Sequence, residues 1–452
     1  MTKRLYIANR GEIALRIVRA AKSLGIETVL GVSTADKDSL AAQEADRTLT
    51  LGPAQPRDSY LDIGANIHAA KASGCAALHP GYGFLSERAS FALGCEERGI
   101  AFVGPRASAI EQVGDKLSAR ALAQKAGVPL TSGSEKIDNV DEAVRIANEI
   151  GFPVITKASA GGGGRGMVVA KTESDLRAAF DQASRTALEA FGDGTLFLER
   201  YVETARHIEV QAFGDGNGKV VHFAERDCSI QRRYQKMIEE APASILPDDV
   251  RDRIRQAAVD LLASINYRNA GTVEFLYDVD RQEFYFMEVN ARIQVEHPVS
   301  EEISGVDLIK HQIEMAFDPD APLTQTENFN GHAIEARILA EDPARNFLPS
   351  PGRIEQWAPP QIEGVRLDSA MFEGALVPPY YDSMIGKLIV HGDTREDAVA
   401  RMQKALDDFT IGGIATNIPF LKAVVSHPDF IANRVDTRWL ERTVIPDFSA
   451  DN

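Results

Sequence analysis

Two sheet patterns of different kind predict a multidomain chain of α/β and α+β class. The chain opens with an alternation of strand, helix and strand, which is the mark of an open parallel sheet. Its second half is dominated by strands joined through short polar turns, the mark of antiparallel hairpins. At 452 residues it is long enough for about two to four domains.

Arg4 to Ala8 reads as a short apolar strand, followed by Asn9-Arg10-Gly11. Ile13, Ile17, Ala20 and Leu24 then recur at spacings of three and four, so they share one helical face, and Gly25 ends the helix. Ile26 to Val32 is the next strand, and Cys75 to Leu78 and Ile100 to Val103 continue the sheet. A boundary near Gly104-Pro105 or soon after gives a first domain of 1–112. Lys116 to Ala126 is a helical link closed by Gly127-Val-Pro129, so 113–130 is a linker. A compact unit over 131–203 holds a short helix, the strand Pro153 to Ser159 and a glycine loop. In the remainder, 204–452, His207 to Phe213 turns through Asp-Gly-Asn-Gly into Val220 to Glu225. Thr394 caps a helix whose Val399, Met402, Leu406 and Phe409 share a face.

Composition removes several function classes. A hydrophobic share of 44% with 25% charged residues is ordinary for a globular protein. The net charge of −17 argues against nucleic acid or an anionic membrane as the main partner. Cys75, Cys95 and Cys228 form no Cys-x-x-Cys pair, so neither a disulfide framework nor a zinc ribbon is expected. With no apolar run near the 18 or so residues that span a bilayer, and a first strand beginning at Arg4, a cytoplasmic protein without a signal peptide is expected.

The richest chemistry lies between Met287 and His297. Glu288, Asn290, Arg292, Gln294 and Glu296 alternate with Val289, Ala291, Ile293 and Val295. In an extended segment all five polar groups would line one side. Upstream, Gly271 to Tyr277 and Glu283 to Glu288 read as two strands around the polar turn Asp278 to Gln282. A hairpin centred near Arg281 places Glu274 directly across from Glu288. Two carboxylates about 5 Å apart repel by about 3 kcal/mol at an effective dielectric of about 20. A divalent cation between them removes that cost, and Asn290 on the same face adds a hard oxygen ligand. A metal–nucleotide site is the better reading than a half-buried strand with a solvated polar face.

Lys157 precedes Ala-Ser-Ala-Gly-Gly-Gly-Gly-Arg-Gly166, and Met167 to Lys171 after it is strand-like. A glycine loop between two strands is either a plain hairpin tip or a flap whose N–H groups wrap phosphates. The absence of Gly-Lys-Ser/Thr excludes a Walker loop. Glu199-Arg-Tyr-Val202 reads as an edge strand or hinge. Gln231-Arg-Arg-Tyr-Gln-Lys236 is either a solvated face or a local positive patch for an anion, and His79-Pro-Gly-Tyr-Gly-Phe is a rigid loop.

Together these pieces resemble biotin carboxylase, of the ATP-grasp group, over nearly the whole chain. The resemblance rests on Ile7-Ala-Asn-Arg-Gly-Glu-Ile-Ala-Leu-Arg16, His79-Pro-Gly-Tyr-Gly-Phe-Leu-Ser-Glu87, Gly114-Asp-Lys116 and the glycine flap. It continues through Glu225 to Arg233, Glu239-Glu-Ala-Pro242, Asn290 to Pro298 and Pro378-Pro-Tyr-Tyr-Asp-Ser-Met-Ile-Gly-Lys387. It implies an N-terminal domain, an ATP-grasp lid, and an ATP-grasp core with a β-rich C-terminal domain.

By the resemblance, Lys116, Lys157, His207, Gly163 and Gly164 hold the phosphates of ATP, and Glu199, Arg200 and Val202 read adenine. Gln231 and Tyr234 lie beside the nucleotide. Glu274, Glu288 and Asn290 are the ligands of Mg²⁺ or Mn²⁺. Lys236, Arg292, Gln294 and Val295 form the bicarbonate pocket and Glu296 is the general base. Arg337 steadies the biotin enolate, and Tyr82 lies near the biotin ring.

Tyr234, Ala160, Thr156 and Arg88-Ala89 depart from the family's usual residues without removing a catalytic group. No biotinyl-lysine motif occurs, so a biotin carboxyl carrier protein and a carboxyltransferase are expected as partners, and the family commonly forms a homodimer. The implied activity is the first half-reaction of an acyl-CoA carboxylase such as acetyl-CoA carboxylase. Propionyl-CoA, methylcrotonyl-CoA, pyruvate and urea carboxylases share the module, and a different ATP-grasp carboxylate ligase would share only part of the site.

Overall fold

A parallel sheet and a long antiparallel sheet make the frame of the computed structural model, which describes residues 3–137, 139–159, 167–326 and 328–448. The first sheet runs in the order β3-β2-β1-β4-β5. Its strands are β1 (Arg4–Ile7), β2 (Glu27–Ser33), β3 (Arg47–Gly52), β4 (Ala77–His79) and β5 (Ala101–Phe102), all parallel. The predicted helix spans Gly11–Ser23 and buries Ile13, Ile17 and Ala20. Leu24 is its cap, and Gly25 follows at φ 69°, a left-handed conformation that glycine adopts without a Cβ clash. Asn9 donates its amide to the carbonyls of Pro80 at 2.6 Å and Tyr82 at 2.8 Å, tying the loop after β1 to the loop after β4.

The smaller unit is a three-stranded antiparallel sheet, β7-β6-β8, from β6 (Val154–Ala158), β7 (Val168–Ala170) and β8 (Leu196–Arg200). The glycine loop therefore joins two paired strands, as expected, but Gly163 and Gly164 lie outside the described residues. Beside the short helix Val140–Ile150 stands the 19-residue helix Glu173–Phe191, which periodicity did not single out. Thr172 and Asp175 close a capping box at its start. Thr156 is polar for a local reason. Its hydroxyl is shared with the main chain of Val168 at 3.2 and 3.3 Å across the β6–β7 pair.

The large sheet has eight strands. Six are β9 (Ala205–Asp215), β10 (Val220–Arg232), β11 (Gln235–Ala241), β12 (Arg268–Asp278), β13 (Glu283–Asn290) and β14 (His332–Leu339). They run in the order β13-β12-β9-β10-β11-β14, and Met384–Gly392 and Val365–Asp368 complete the edge. Helices Asp248–Ser264, His297–Ser304 and Leu308–Phe317 cover the sheet. One expectation needs correcting here: the alternation from 287 to 297 is not one strand. β13 ends at Asn290, and the chain bends and turns into the helix starting at His297. Ala291 and Ile293 are buried even so, and the polar side chains between them share a network.

Of the three cysteines, all are free and buried. Among the described residues no helix is long and apolar enough to cross a membrane.

Candidate active site

One extra residue decides which carboxylates meet. Near its turn the β12–β13 hairpin pairs Asp278 with Glu283 and Phe275 with Phe286, a register that would carry Glu274 opposite Met287. A bulge at Met287 shifts the ladder by one, and beyond it Glu274 pairs with Glu288 and Thr272 with Asn290. Bulges re-aim side chains in this way, commonly beside active sites. Glu274, Glu288 and Asn290 thus come to one face. The simple hairpin centred at Arg281 reached the right pair by the wrong count.

The two glutamates live in different fields. Burial alone would raise Glu274, but the Lys236 ammonium at 3.1 Å and His207 Nε2 at 2.9 Å hold it well below the usual carboxylate range. Asn290 and Gln294 donate their amides to the same carboxyl, at 2.9 and 3.4 Å. Glu288 is pushed up by burial and then by the charge of Glu274, with Lys116 no nearer than 3.9 Å. A partly buried carboxyl held high by a neighbouring anion is a group that a divalent cation would stabilise. The donor set fits a hard metal ion.

Lys236 is the hub of a buried network of carboxylates. Its ammonium bonds Glu209 at 2.5 Å and Glu296 at 2.6 Å as well as Glu274. Arg337 bonds the other oxygen of Glu296 at 2.9 Å and Glu239 at 2.6 Å. Burial pushes Glu296 up, yet Lys236, Arg337 and Arg226 outweigh it and the carboxyl stays below its ordinary pKa. A carboxylate clasped by two cations at the mouth of a turn is ionised and aimed, which is what a general base requires.

Arg292 fans over the same face. Its guanidinium bonds Gln294 Oε1 at 2.7 Å and Asn290 Oδ1 at 3.1 Å, and its Nε bonds Glu87 at 3.0 Å. Glu87 also accepts from the Ala291 N–H at 3.0 Å, so the loop after β4 clamps the end of β13. The carbonyl of Val295 accepts from Lys387, and Tyr82 donates its hydroxyl to Glu12.

The remaining expected residues lie around the lid. Lys157 bonds Glu199 at 2.6 Å, and Arg120 bonds the other oxygen of that buried carboxylate. Burial raises Glu199, and Lys157 and Arg120 more than cancel it, leaving it below the usual value. Arg200 reaches Asp278 at 3.3 Å and Val202 is buried. Gln231 is buried and donates to the Cys228 carbonyl at 3.3 Å. Tyr234 stands apart from the network, exposed at a turn where both it and Arg233 have positive φ.

Glu12, Glu87, Arg120, Glu209, Arg226 and Glu239 are among the participants that were given no role from the sequence. Glu209 lies two residues beyond His207 on a strand, so the same alternation that grouped 288 to 296 puts it on His207's side. Arg226 is fully buried, bonding Glu209 at 2.6 Å and Gln211 and Ser300 at 3.0 Å, and it backs Lys236 from beneath.

A core antiparallel sheet carrying paired carboxylates, with a small three-stranded lid beside it, is the architecture of an ATP-grasp ligase. Family models agree along the chain. The N-terminal domain of biotin carboxylase matches residues 1–110, the ATP binding domain of the carbamoyl-phosphate synthase L chain matches 115–324, and the biotin carboxylase C-terminal domain matches 335–442. Biotin carboxylase 1 of Bacillus subtilis is 50% identical over 98% of each chain. A pyruvate carboxylase subunit of Methanothermobacter thermautotrophicus is 46% identical over 98% of this chain and 90% of its own. The crystal structure of a biotin carboxylase–β,γ-ATP complex from Campylobacter jejuni superposes with a TM-score of 0.94 at 46% identity, covering 98% of this chain and 99% of that one. The biotin carboxylase domain dimer of Hydrogenobacter thermophilus 2-oxoglutarate carboxylase, in complex with MgADP, ADP and bicarbonate, also gives 0.94, at 44% identity and 99% of each chain. The chain belongs to the biotin carboxylase family.

Proposed function

We propose that the chain carboxylates biotin carried on a separate biotin carboxyl carrier protein, using ATP and bicarbonate, as the first half-reaction of an acyl-CoA carboxylase such as acetyl-CoA carboxylase. The observation that carries the mechanism is the clasp of Glu296 between Lys236 and Arg337. Glu296 takes the proton of bicarbonate, and Lys236, Arg292, Gln294 and the Val295 main chain hold the anion so that its oxygen attacks the γ-phosphate. Lys116, Lys157, His207, Gly163 and Gly164 hold the phosphates, with adenine against Glu199, Arg200 and Val202 and with Gln231 and Tyr234 alongside. Glu274, Glu288 and Asn290 would hold Mg²⁺ or Mn²⁺, which when bound neutralises charge on the transferring phosphoryl group.

Carboxyphosphate breaks into CO₂ and phosphate, and phosphate removes the ureido proton of biotin, placed near Tyr82. Once Glu296 is protonated its attraction for Arg337 falls, freeing that guanidinium to face the biotin enolate, whose nitrogen attacks CO₂ to form the N–C bond of carboxybiotin. Lid closure keeps water from the mixed anhydride. The domain division at 112, 130 and 203 belongs to the same reading, with a carboxyltransferase as the further partner, a homodimer and a cytoplasmic setting.

A second reading has support of its own, since the relatives include a 2-oxoglutarate carboxylase domain and one subunit of a pyruvate carboxylase. ATP cleavage measured with and without bicarbonate and free biotin tests the half-reaction: carboxybiotin forms and biotin speeds turnover. No biotin stimulation and no carboxybiotin would put a different ATP-grasp ligase ahead. Adding carboxyltransferase with acetyl-CoA, propionyl-CoA, methylcrotonyl-CoA, pyruvate or urea then reads the acceptor.

A further inference from the structure

Three sequence motifs far apart in the chain end on one buried ammonium. Lys387 closes Pro378-Pro-Tyr-Tyr-Asp-Ser-Met-Ile-Gly-Lys387 and is fully buried on the strand Met384–Gly392, directly across from Arg337 of β14. Cross-strand partners project to the same face, so Lys387 and Arg337 look toward the same site. Its Nζ donates to the Val295 carbonyl at 2.9 Å. The same Nζ lies 3.2 Å from Glu12 Oε1, the oxygen that also accepts the hydroxyl of Tyr82. Glu12 is buried, and the half-buried Asp368 lies 3.9 Å from the ammonium.

A buried lysine is costly unless paired, and this one is paired by more than its packing requires. Burial pushes Lys387 down, and Glu12, Glu335 and Asp368 outweigh it, so the group stays charged. Of its near contacts, the two held by 2.9 and 3.2 Å lead straight to substrate positions: the Val295 main chain in the bicarbonate pocket and, through Glu12, Tyr82 beside biotin.

We propose that Lys387 is a positioning residue that holds the bicarbonate loop and the biotin-side tyrosine in one arrangement, through its bonds to the Val295 carbonyl and to Glu12. The inference rests on the biotin carboxylation reading. Lys387 itself touches neither substrate. It fixes the Val295 carbonyl, one peptide before Glu296, and it fixes the carboxylate that anchors Tyr82, so the two proposed substrate positions share one support.

Steady-state kinetics of the full chain test this. ATP cleavage without biotin gives the bicarbonate KM, and the same assay with free biotin gives the biotin KM. Lys387→Met is expected to raise both by about 10- to 150-fold, the worth of a lost charge-assisted hydrogen bond, and to leave the ATP KM within about twofold. Glu12→Gln keeps the bond to Val295 and is expected to raise the biotin KM alone. If Lys387→Met does not yield folded protein, the pair Lys387→Met with Glu12→Gln removes both charges and is measured instead, and Glu12→Gln still reads the tyrosine arm by itself. Unchanged bicarbonate and biotin KM values in a folded variant overturn the proposal, and so does an equal rise for all three substrates, the mark of general loosening. A wild-type protein without biotin-dependent turnover fails the functional reading instead, before any variant is compared.

Discussion

Glu274 and Glu288 face each other across β12 and β13 only because Met287 is bulged out of the ladder. The pair is electrostatically unequal, with Glu274 held ionised by Lys236 and His207 and Glu288 pushed up by burial and by Glu274. An acid whose pKa is higher folded than unfolded weakens the fold wherever it must carry charge. Glu288→Gln is therefore expected to raise the melting temperature of the metal-free protein at neutral pH. The same change is expected to raise the Mg²⁺ concentration needed for half-maximal ATP cleavage by at least about tenfold. Calorimetry with a magnesium titration checks both. A lower melting temperature with unchanged magnesium demand would place the metal elsewhere.

Glu240 offers the opposite case. It is buried, bonds His332 at 2.8 Å and takes a two-pronged bond from Arg395 at 2.7 and 2.8 Å. Burial raises it, His332 and Arg395 lower it further, and it falls to about 2. Its stabilisation is present above the unfolded carboxylate value and is lost as pH falls toward 2. Glu240→Gln is expected to cost about 3 kcal/mol at neutral pH, because Arg395 loses its partner, and to flatten the acid limb of the stability curve. Urea unfolding at several pH values measures this, and the KM values of the folded variant should match the wild type.

Lys157 spends its charge on Glu199 at 2.6 Å in this arrangement, with Arg120 on the other oxygen. On the proposed reading the ammonium transfers to the entering phosphates while Arg120 keeps Glu199 paired. Lys157→Met is expected to raise the ATP KM by about tenfold or more and to leave the bicarbonate KM within about twofold. Initial-rate measurements varying each substrate separate the two.

Much of this was legible in the sequence because apolar periodicity and polar alternation are direct consequences of packing. The Gly11–Ser23 helix, its stop at Gly25, the parallel strands and the capped helix after Thr394 follow from such patterns. The Met287 bulge was missed although it moves the apolar phase from Phe284 and Phe286 to Val289, Ala291 and Ile293, because Phe284 to Met287 is apolar throughout and hides where the shift falls. Helices Asp248–Ser264 and Glu173–Phe191 escape the same reading because their apolar stripes are diluted by charged residues. Within the site, the five alternating polar residues were visible. Lys236's three carboxylate partners come from β9, β12 and the turn before His297, a convergence that only the folded sheet creates.

The proposed mechanism turns on an ionised Glu296 held between Lys236 and Arg337. Its pKa lies below the ordinary carboxylate value, so the proposed base stays ionised as pH falls to about that value. The most direct measurement is bicarbonate-dependent ATP cleavage across a pH series, wild type against Glu296→Gln, with each folded state verified. The expected result is a loss of about 10²- to 10⁴-fold in kcat for the variant at neutral pH, narrowing along the wild-type acid limb, with ATP binding retained and that limb starting below the usual glutamate range. A variant that turns over bicarbonate at the wild-type rate would contradict the assignment of the base.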